Sequence, residues 1–315
     1  MRVVLVHDWL TGFRGGEKVL EVFCELFPEA SLYTLVHVPG MTSPTIEDRN
    51  IVTAFTQRLP AAGRLYRWYL PLHPWAIESL RLPACDLVLS SSHCVAKSVK
   101  APEGAVHVCY CHTPMRYVWD RFEDYFGHGL KAKLLYGPVA AGLRRWDRRT
   151  ATRADRFVAN SRYVAERIRN YYGRDADAVI PPPVDTDFYV PSDEPAEEPY
   201  YLIVSALVPY KRIELAIEAF RGRDDALWIV GAGPSERELR AGAPDNVRFL
   251  GWVDDERLRE PYQGCRACVL PGVEDFGIVP LEAQACGAPV VALGEGGALD
   301  SVKHGETGVL YEEST

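Results

Sequence analysis

Residues 267–282 read Ala-Cys-Val-Leu-Pro-Gly-Val-Glu-Asp-Phe-Gly-Ile-Val-Pro-Leu-Glu, and they indicate a strand, a loop and a helix in direct succession. The apolar run 267–271 is typical of a buried strand, and the run 279–286 is typical of a helix. Glu274 then lies at the carboxyl end of a strand, where open α/β sheets bind ligands, and Glu282 lies inside the helix. Two carboxylates beside the N–H groups of a helix start suit a ligand with hydroxyl groups and phosphates, such as a nucleotide-sugar.

Strand-like and helix-like runs alternate along the whole chain, which indicates an α/β protein with parallel sheets. The strands predicted in the first half are 3–6, 31–36, 87–90, 106–110, 156–159 and 178–180, and the helices are 17–26, 131–153 and 161–171. The strands predicted in the second half are 201–205, 227–230, 247–250, 267–270, 289–292 and 308–310, and the helices are 211–220, 234–241, 255–262 and 278–286. The acidic, proline-rich segment 191–199 predicts a linker. We therefore expect two Rossmann-like domains, residues 1–190 and 191–315, that face each other across a cleft.

The composition excludes several classes of protein. With 47% apolar and 25% charged residues, the chain is typical of a folded globular protein and not of a disordered one. No apolar run has the length of about 18 residues that a membrane span needs, and the run at the N-terminus is too short for a signal peptide. The eight cysteines are scattered among apolar residues, which indicates a reducing cytoplasm. Residues 1–190 are net basic and the remainder is acidic, so the first half is the candidate for meeting an anionic partner.

Two short motifs admit other interpretations. Gly231-Ala-Gly233 lies between a predicted strand and a predicted helix, as in a dinucleotide-binding loop, but Glu236 stands in the place of the third glycine. We interpret this motif as a strand-to-helix turn. Cys265-Arg-Ala-Cys268 has a spacing found in zinc sites, but the sequence holds no second such pair and Cys268 falls in a predicted buried strand. We expect no metal site and no cofactor.

Residues 271–291 carry the paired glutamates and then a glycine, a proline and a strand. This segment resembles that of the retaining glycosyltransferases of family 4, which have the GT-B fold, and the resemblance covers nearly the whole chain. It implies that Glu274 contacts hydroxyl groups of the donor sugar and that Glu282 holds the nucleotide ribose. The other donor-binding positions that it implies near these glutamates are Val253, Phe276, Gly277, Ile278 and Val279.

Basic residues and glycines mark two further candidate donor contacts. Lys211 and Arg212 follow the first strand of the second half, where cations at a helix start suit a diphosphate and the negative charge that grows on it during transfer. The family usually has an arginine shortly before this lysine, whereas Ala206 and its neighbours supply none, so Lys211 is the stronger candidate. Gly15 and Gly16 follow the first strand of the first half and allow the backbone to approach a ligand closely.

Residues 109–120, Cys-Tyr-Cys-His-Thr-Pro-Met-Arg-Tyr-Val-Trp-Asp, end a predicted strand. The segment resembles one in the family's mannosyltransferases of bacterial surface-polysaccharide assembly, which implies that His112 reaches the donor sugar. Arg116, Tyr117 and Trp119 suit an acceptor made of sugar rings and phosphate, because arginine pairs with phosphate and aromatic faces stack on sugars. Asp8, at the end of the first strand, is the remaining acceptor-binding candidate.

These observations predict a retaining hexosyltransferase of polysaccharide biosynthesis with His112, Lys211 and Glu274 as its catalytic residues. We expect GDP-mannose as the donor, with UDP-sugars next, a saccharide or lipid-linked saccharide as the acceptor, and no nucleic acid partner. Two alternatives stay open: an epimerase or phosphorylase acting on nucleotide-sugars with the same fold, and a catalytically silent binding protein. Because family members normally continue beyond the position of Thr315, we expect the second domain to lack its final helices.

Residues 64–75 and 142–153 mix cations with aromatic residues in the basic half of the chain. This combination suits the surface of an anionic membrane, and it predicts peripheral contact of a cytoplasmic protein with the inner face of that membrane. Packing of the aromatic residues into the core is the alternative interpretation.

Overall fold

A computed structural model of the chain describes residues 1–127, 129–193 and 200–313. The chain divides into two compact units, Met1–Pro183 and Val184–Thr315. The predicted boundary at residue 190 therefore falls inside the second unit, because Phe188 and Tyr189 already pack into the core of that unit. Most of the predicted linker, residues 194–199, lies outside the described residues.

The described part of the first unit forms a seven-stranded parallel sheet covered by helices. Its strands are β1 Val3–His7, β2 Ser31–Thr34, β3 Ile51–Thr53, β4 Leu87–Ser92, β5 Val106–Cys111, β6 Arg156–Ala159 and β7 Ala178–Val179. Its α-helices are α1 Gly15–Leu26, α2 Pro44–Glu47, α3 Ala62–Leu65, α4 His73–Ser79, α5 Arg116–Trp119, α6 Phe122–Phe126, α7 Leu130–Thr150 and α8 Arg162–Tyr172. Short 3₁₀ helices lie at Phe55–Arg58, Tyr66–Leu72, Ala96–Ser98 and Ala151–Arg153.

The second unit repeats this architecture with a six-stranded parallel sheet within its described residues. Its strands are β8 Tyr200–Val204, β9 Ala226–Val230, β10 Val247–Gly251, β11 Cys265–Leu270, β12 Val290–Leu293 and β13 Gly308–Tyr311. Its α-helices are α9 Ile213–Ala219, α10 Glu236–Gly242, α11 Asp255–Gly264, α12 Val279–Ala285 and α13 Ala298–Ser301, and a 3₁₀ helix covers Pro209–Lys211.

Both sheets are buried on their two faces, as the unbroken apolar runs of their strands predict. On β1, Val4 and Val6 join one apolar cluster while Leu5 joins another, because successive side chains of a strand point to opposite faces. On β8, Leu202 and Ile203 divide between two clusters in the same way. The predicted α/β class with two Rossmann-like halves is therefore confirmed.

The strand order gives each sheet one edge position suited to ligands. The orders are β3-β2-β1-β4-β5-β6-β7 and β10-β9-β8-β11-β12-β13, so the direction of winding reverses between β1 and β4 and between β8 and β11. Loops at the carboxyl ends of strands leave a crevice at such a reversal, and ligands of open α/β sheets bind there. The sequence-predicted site residues can be compared with these two positions.

Candidate functional site

Loops at the carboxyl edge of the second sheet pack backbone against backbone through glycines. A Cβ on Gly233 would lie 2.3 Å from the Leu207 carbonyl oxygen, and one on Gly272 would lie 2.8 Å from the Lys211 carbonyl oxygen. A Cβ on Gly231 would lie 1.9 Å from the Ser205 carbonyl oxygen. The space beside Gly231-Ala-Gly233 is thus filled by the chain itself, which supports the interpretation of this motif as a turn.

The glycine-packed loops bring two of the predicted catalytic residues together. Lys211 ends the 3₁₀ helix after β8, and Glu274 lies in the loop after β11, where its carbonyl oxygen accepts a hydrogen bond of 2.8 Å from the Gly297 N–H. The Lys211 Nζ forms an ion pair with Glu274 Oε1. Both side chains are partly exposed, at 14% and 24%, so the pair is open to solvent at the β8/β11 reversal.

A buried tyrosine donates a hydrogen bond to the carboxylate of Glu282. The residue exposure of Glu282 is 2%, and the hydroxyl of Tyr262 on α11 donates a hydrogen bond of 2.8 Å to Glu282 Oε2. Burial, together with the charge of Glu282, raises the pKa of Tyr262 well above its ordinary value, so the hydroxyl stays protonated and remains a donor. Glu282 is therefore a buried, hydrogen-bonded carboxylate of α12 and not a surface residue.

The remaining predicted donor contacts occupy different positions around this ion pair. Gly277 has a left-handed φ of 81°, and a Cβ there would lie 3.3 Å from Glu274 Cγ. Arg212 also has a left-handed φ of 55°, and its guanidinium pairs with Glu214 at 3.1 Å. Ile278 and Val279, both half-buried, begin α12, whereas Phe276 is buried and Val253 packs against the apolar core. We therefore expect any ligand contact at Phe276 to come from its backbone.

In the first unit, the predicted His112 and the predicted glycine loop meet two further side chains, His7 and Ser91, where β1, β4 and β5 end. His7 Nδ1 lies 3.0 Å from Ser91 Oγ, and Ser91 Oγ lies 2.8 Å from His112 Nε2. Gly15 and Gly16 open α1, and a Cβ on Gly16 would lie 3.9 Å from both His112 Nε2 and His7 Cε1. The structure thus places the predicted glycine loop beside His112 at the β1/β4 reversal.

His7 has a carboxylate neighbour, Glu17, and a second histidine, His93, beside it. Glu17 Oε1 lies 3.7 Å from His7 Nε2. Burial opposes the charged form of Glu17, but its contact with His7 outweighs this effect and holds its pKa below the ordinary value. Burial in the first place, and the neighbouring His7, lower the pKa of His93 to about 3, so His93 is neutral near pH 7.

The acceptor-binding role predicted for Asp8 does not fit its geometry. Asp8 is fully buried, and its carboxylate accepts hydrogen bonds of 2.6 to 2.9 Å from four successive backbone N–H groups. The donors are His93, Cys94, Val95 and Ala96. Asp8 therefore holds the loop after β4 in place, since both of its oxygens are already occupied within the unit.

Two of the predicted acceptor-binding aromatics also serve packing. The Trp119 ring stacks on Tyr171 at a centroid distance of 4.8 Å, and its Nε1 donates a hydrogen bond of 2.8 Å to Asp147 Oδ2. Tyr117 is buried and meets the ring of Tyr125 edge-on at 4.5 Å. A neighbouring ring thus covers one face of Trp119, and Tyr117 is buried, so neither ring is fully open for the stacking on a sugar that the sequence predicts. Arg116 is half-buried at the start of α5.

Sequence reasoning missed Ser91, Glu17 and Tyr262. The run Ser90-Ser-Ser-His93 directly after the apolar part of β4 was the available signal for Ser91, because polar residues there reach the ligand edge of the sheet.

Across the described residues, no group of three or more His, Cys, Asp or Glu side chains is placed to hold a metal ion. No described helix is both long and apolar enough to cross a membrane.

Residues 13–188 match the sequence profile of Glycosyltransferase Family 4, and residues 186–315 match the profile of Glycosyl transferases group 1. Together with the two Rossmann-like sheets, these matches define the class as the GT-B glycosyltransferases. The chain belongs to glycosyltransferase family 4.

Two curated relatives illustrate the range of the family. A D-inositol 3-phosphate glycosyltransferase of Geodermatophilus obscurus is 37% identical over 191 residues, which are 50% of this chain and 42% of that protein. A GDP-mannose-dependent alpha-(1-6)-phosphatidylinositol monomannoside mannosyltransferase of Mycolicibacterium smegmatis is 32% identical over 194 residues, which are 52% of this chain and 51% of that protein. The matched part of the chain thus spans about half the length of these relatives.

Solved structures agree on the fold. The Anabaena Alr3699/HepE complex with UDP has a TM-score of 0.69 at 18% identity and covers 99% of this chain and 85% of its own. Sucrose-phosphate synthase from Thermosynechococcus elongatus has a TM-score of 0.72 at 18% identity and covers 98% of this chain and 86% of its own. At this identity the likeness concerns the fold alone.

Proposed function

We propose that the chain is a retaining glycosyltransferase that takes a hexose from a nucleotide-sugar. The observation that carries the proposal is the contact between Lys211 and Glu274 at the β8/β11 reversal, with Glu282 close by in the chain on α12. A cation for a diphosphate, a carboxylate for sugar hydroxyls and a second carboxylate for a ribose are the groups that such a donor requires. Family membership supports the same assignment.

In the proposed reaction, the donor separates Lys211 from Glu274. The lysine then contacts the diphosphate and stabilises the negative charge that grows on it as the glycosidic bond breaks. Glu274 accepts hydrogen bonds from the sugar hydroxyls, and His112 of the first unit is the proposed second contact with the sugar. An oxocarbenium-like transition state needs these groups to be well placed more than it needs a strong base.

Mannose from GDP-mannose is the proposed donor group. Residues 109–120 support it, as does the relative from Mycolicibacterium smegmatis, whose name specifies GDP-mannose. Other relatives carry the name D-inositol 3-phosphate glycosyltransferase, and the Anabaena structure contains UDP, so UDP-sugars belong in the same test.

The proposed acceptor is a saccharide or lipid-linked saccharide of polysaccharide biosynthesis, reached from the cytoplasmic face of an anionic membrane. Exposed aromatic residues support this docking. Trp68 is 75% exposed and Trp75 is 65% exposed, whereas Tyr66, before Trp68, and Leu70, between the two tryptophans, are buried. Arg64 and Arg67 are also exposed, so cations lie beside the tryptophans in the sequence. The alternative of core packing therefore does not apply to Trp68 and Trp75.

Vesicle flotation tests the docking. We expect binding to anionic vesicles, little binding to neutral ones, and weaker binding after replacement of Trp68 and Trp75 by Ser. Trp252, which is 72% exposed in the second unit, provides the matched control Trp252→Ser. Equal flotation of the double variant and the control would contradict the docking proposal.

A donor panel with product analysis tests the reaction. We expect transfer of hexose from GDP-mannose to a mannose-containing acceptor, with release of GDP and retention of the anomeric configuration. An isomerised donor would instead indicate an epimerase, and cleavage that depends on inorganic phosphate would indicate a phosphorylase. Nucleotide binding without turnover of any donor would indicate a silent binding protein.

A further inference from the structure

We infer that Glu17, His7 and Ser91 form a relay that fixes the orientation and the proton position of the His112 ring, an inference that rests on the proposed role of His112 at the donor sugar. The four side chains come from α1, β1, β4 and the end of β5. They are far apart in the sequence and meet at the ligand edge of the first sheet.

Two hydrogen bonds and one longer electrostatic contact connect the four side chains. Glu17 Oε1 lies 3.7 Å from His7 Nε2, His7 Nδ1 lies 3.0 Å from Ser91 Oγ, and Ser91 Oγ lies 2.8 Å from His112 Nε2. Glu17 is itself held by the N–H of Arg14, which donates a hydrogen bond of 3.0 Å to Glu17 Oε2. The carboxylate at the start of the relay is therefore fixed in position.

The serine hydroxyl gives the relay a direction. A hydroxyl has one hydrogen, so between two imidazole nitrogens it donates to one and accepts from the other. In the neutral form of His7, the Glu17 carboxylate beside Nε2 favours the proton on that nitrogen, so Nδ1 accepts a hydrogen bond from the Ser91 hydroxyl. Ser91 Oγ must then accept from His112, and neutral His112 carries its proton on Nε2.

Burial strengthens this directional effect. His7 and Ser91 are fully buried, and hydrogen bonds in such surroundings are electrostatically stronger than in water. Two of the groups that face the relay do not oppose it: His93 is neutral near pH 7, and both oxygens of Asp8 accept backbone N–H groups. Other titratable or charged groups near it, among the residues that the structure describes, are Tyr110, Arg67 and Arg116.

In the proposed reaction, the position of the proton decides whether His112 Nδ1 accepts or donates a hydrogen bond. With the proton on Nε2, Nδ1 is a hydrogen-bond acceptor and suits a sugar hydroxyl, which is a donor. The opposite tautomer would present a donor there. Glu17, His7 and Ser91 are thus positioning residues, and they act on the sugar only through His112.

Nitrogen-15 NMR of the histidine-labelled full chain reads the relay directly. In the wild type at neutral pH, we expect one His112 tautomer with the proton on Nε2. In Ser91→Ala and in Glu17→Gln, we expect a mixture of tautomers, because either the bridging hydroxyl or the orienting charge is lost. Glu25→Gln, an exposed change on the same helix, is the matched control and should leave the tautomer unchanged. A wild-type proton on Nδ1, or an unchanged tautomer in both variants, would overturn the inference.

Kinetics separate positioning from general loss of structure. For Ser91→Ala, we expect kcat to fall on the order of tenfold with KM for the donor little changed, the lower end of what removal of a functional histidine's outer partners costs. Ser91→Thr keeps the hydroxyl and should restore the Nε2 tautomer and most of kcat. If Ser91→Ala does not fold, Glu17→Gln provides the same readouts. Failure of the wild type to bind any nucleotide would reject the proposed function, while the tautomer would still test the relay.

Discussion

At the scale of single residues, the Lys211–Glu274 pair offers a cation and a carboxylate to the two parts of the proposed donor. The two side chains are each other's partner in the structure, and both are partly exposed. Diphosphate and sugar hydroxyls offer each of them a replacement partner when the donor binds. Partly exposed ion pairs contribute only about 0–1 kcal/mol to stability. Breaking this pair when a donor binds therefore costs little.

Glu274→Gln tests this exchange of partners. The variant removes the charge that competes for Lys211, so we expect GDP without a sugar to bind about two- to fivefold more tightly, in keeping with the small energy of a partly exposed pair. Transfer should slow, because the amide orients sugar hydroxyls less well. Calorimetry and initial rates measure the two effects. Glu260→Gln, an exposed change on α11, is the control, and weaker GDP binding in Glu274→Gln would contradict the exchange.

Tyr262→Phe tests the support of Glu282. Loss of the buried hydroxyl leaves Glu282 without one of its donors, which costs about 1–3 kcal/mol at a buried group, so we expect nucleotide affinity to fall about tenfold. Tyr69→Phe removes a hydroxyl that bonds to the Pro60 carbonyl in the first unit, and it should leave nucleotide affinity unchanged. Calorimetric titration with GDP measures both; equal affinities would remove Tyr262 from the site.

At the scale of elements, α7 is anchored by a buried ion pair. Lys97, which is 1% exposed, meets Asp147 Oδ1 at 2.8 Å and also donates to the Ser98 hydroxyl and the Asp147 carbonyl oxygen. The other carboxylate oxygen of Asp147 accepts the Trp119 N–H. One buried pair thus joins the loop after β4, α5 and α7, all of which lie around the candidate site of the first unit.

Lys97→Met tests this anchor. It leaves Asp147 buried without its cation, and we expect the free energy of unfolding of the first unit to fall by about 3–5 kcal/mol. Lys100→Met removes an exposed lysine that pairs with Glu78 at 3.5 Å and should cost no more than about 1 kcal/mol. Denaturant titration followed by tryptophan fluorescence compares them. Similar losses in the two variants would show that Lys97 is not an anchor.

Element types were predictable where apolar runs were long, and contacts between distant residues were not. Every predicted strand is present within two residues at its ends, because buried parallel strands leave an unbroken apolar signal. Strand β3 was missed because Ile51-Val-Thr53 is too short a run to distinguish from a loop. Lys97 and Asp8 show the limit for sites, since their burial depends on partners tens of residues away in the sequence.

At the scale of the whole molecule, the fully buried His73 and His107 and the partly exposed His93 make the first unit sensitive to acid. Burial in the first place lowers the pKa of His73 and of His107 to about 4, and that of His93 to about 3, from an ordinary value of 6.5. Above pH 6.5 these groups are neutral in both the folded and the unfolded chain. Below pH 6.5, these histidines bind protons in the unfolded chain but stay neutral in the folded chain, so the free energy of unfolding decreases as the pH decreases.

Stability between pH 6.5 and 5 tests this dependence. We expect the free energy of unfolding to fall with decreasing pH, by up to about 1.4 kcal/mol per pH unit for each of the three histidines. His73→Leu should reduce the slope, whereas the exposed His304→Gln should not. Denaturant titrations at several pH values measure it. A free energy of unfolding that stays constant across this range would contradict the assignment of these histidines as neutral in the folded chain.

The proposed reaction depends on binding of a nucleotide-sugar by the second unit through Glu282, Lys211 and Glu274. Calorimetric titration of the full chain with GDP, UDP and GDP-mannose tests it most directly. We expect saturable binding by the wild type, loss of nucleotide affinity in Glu282→Ala, and, in Glu274→Ala, slow transfer with GDP affinity retained or increased up to about fivefold, because this variant also removes the charge that competes for Lys211. Absence of binding of every nucleotide to the wild type, or equal and negligible effects of the two variants, would contradict the proposal.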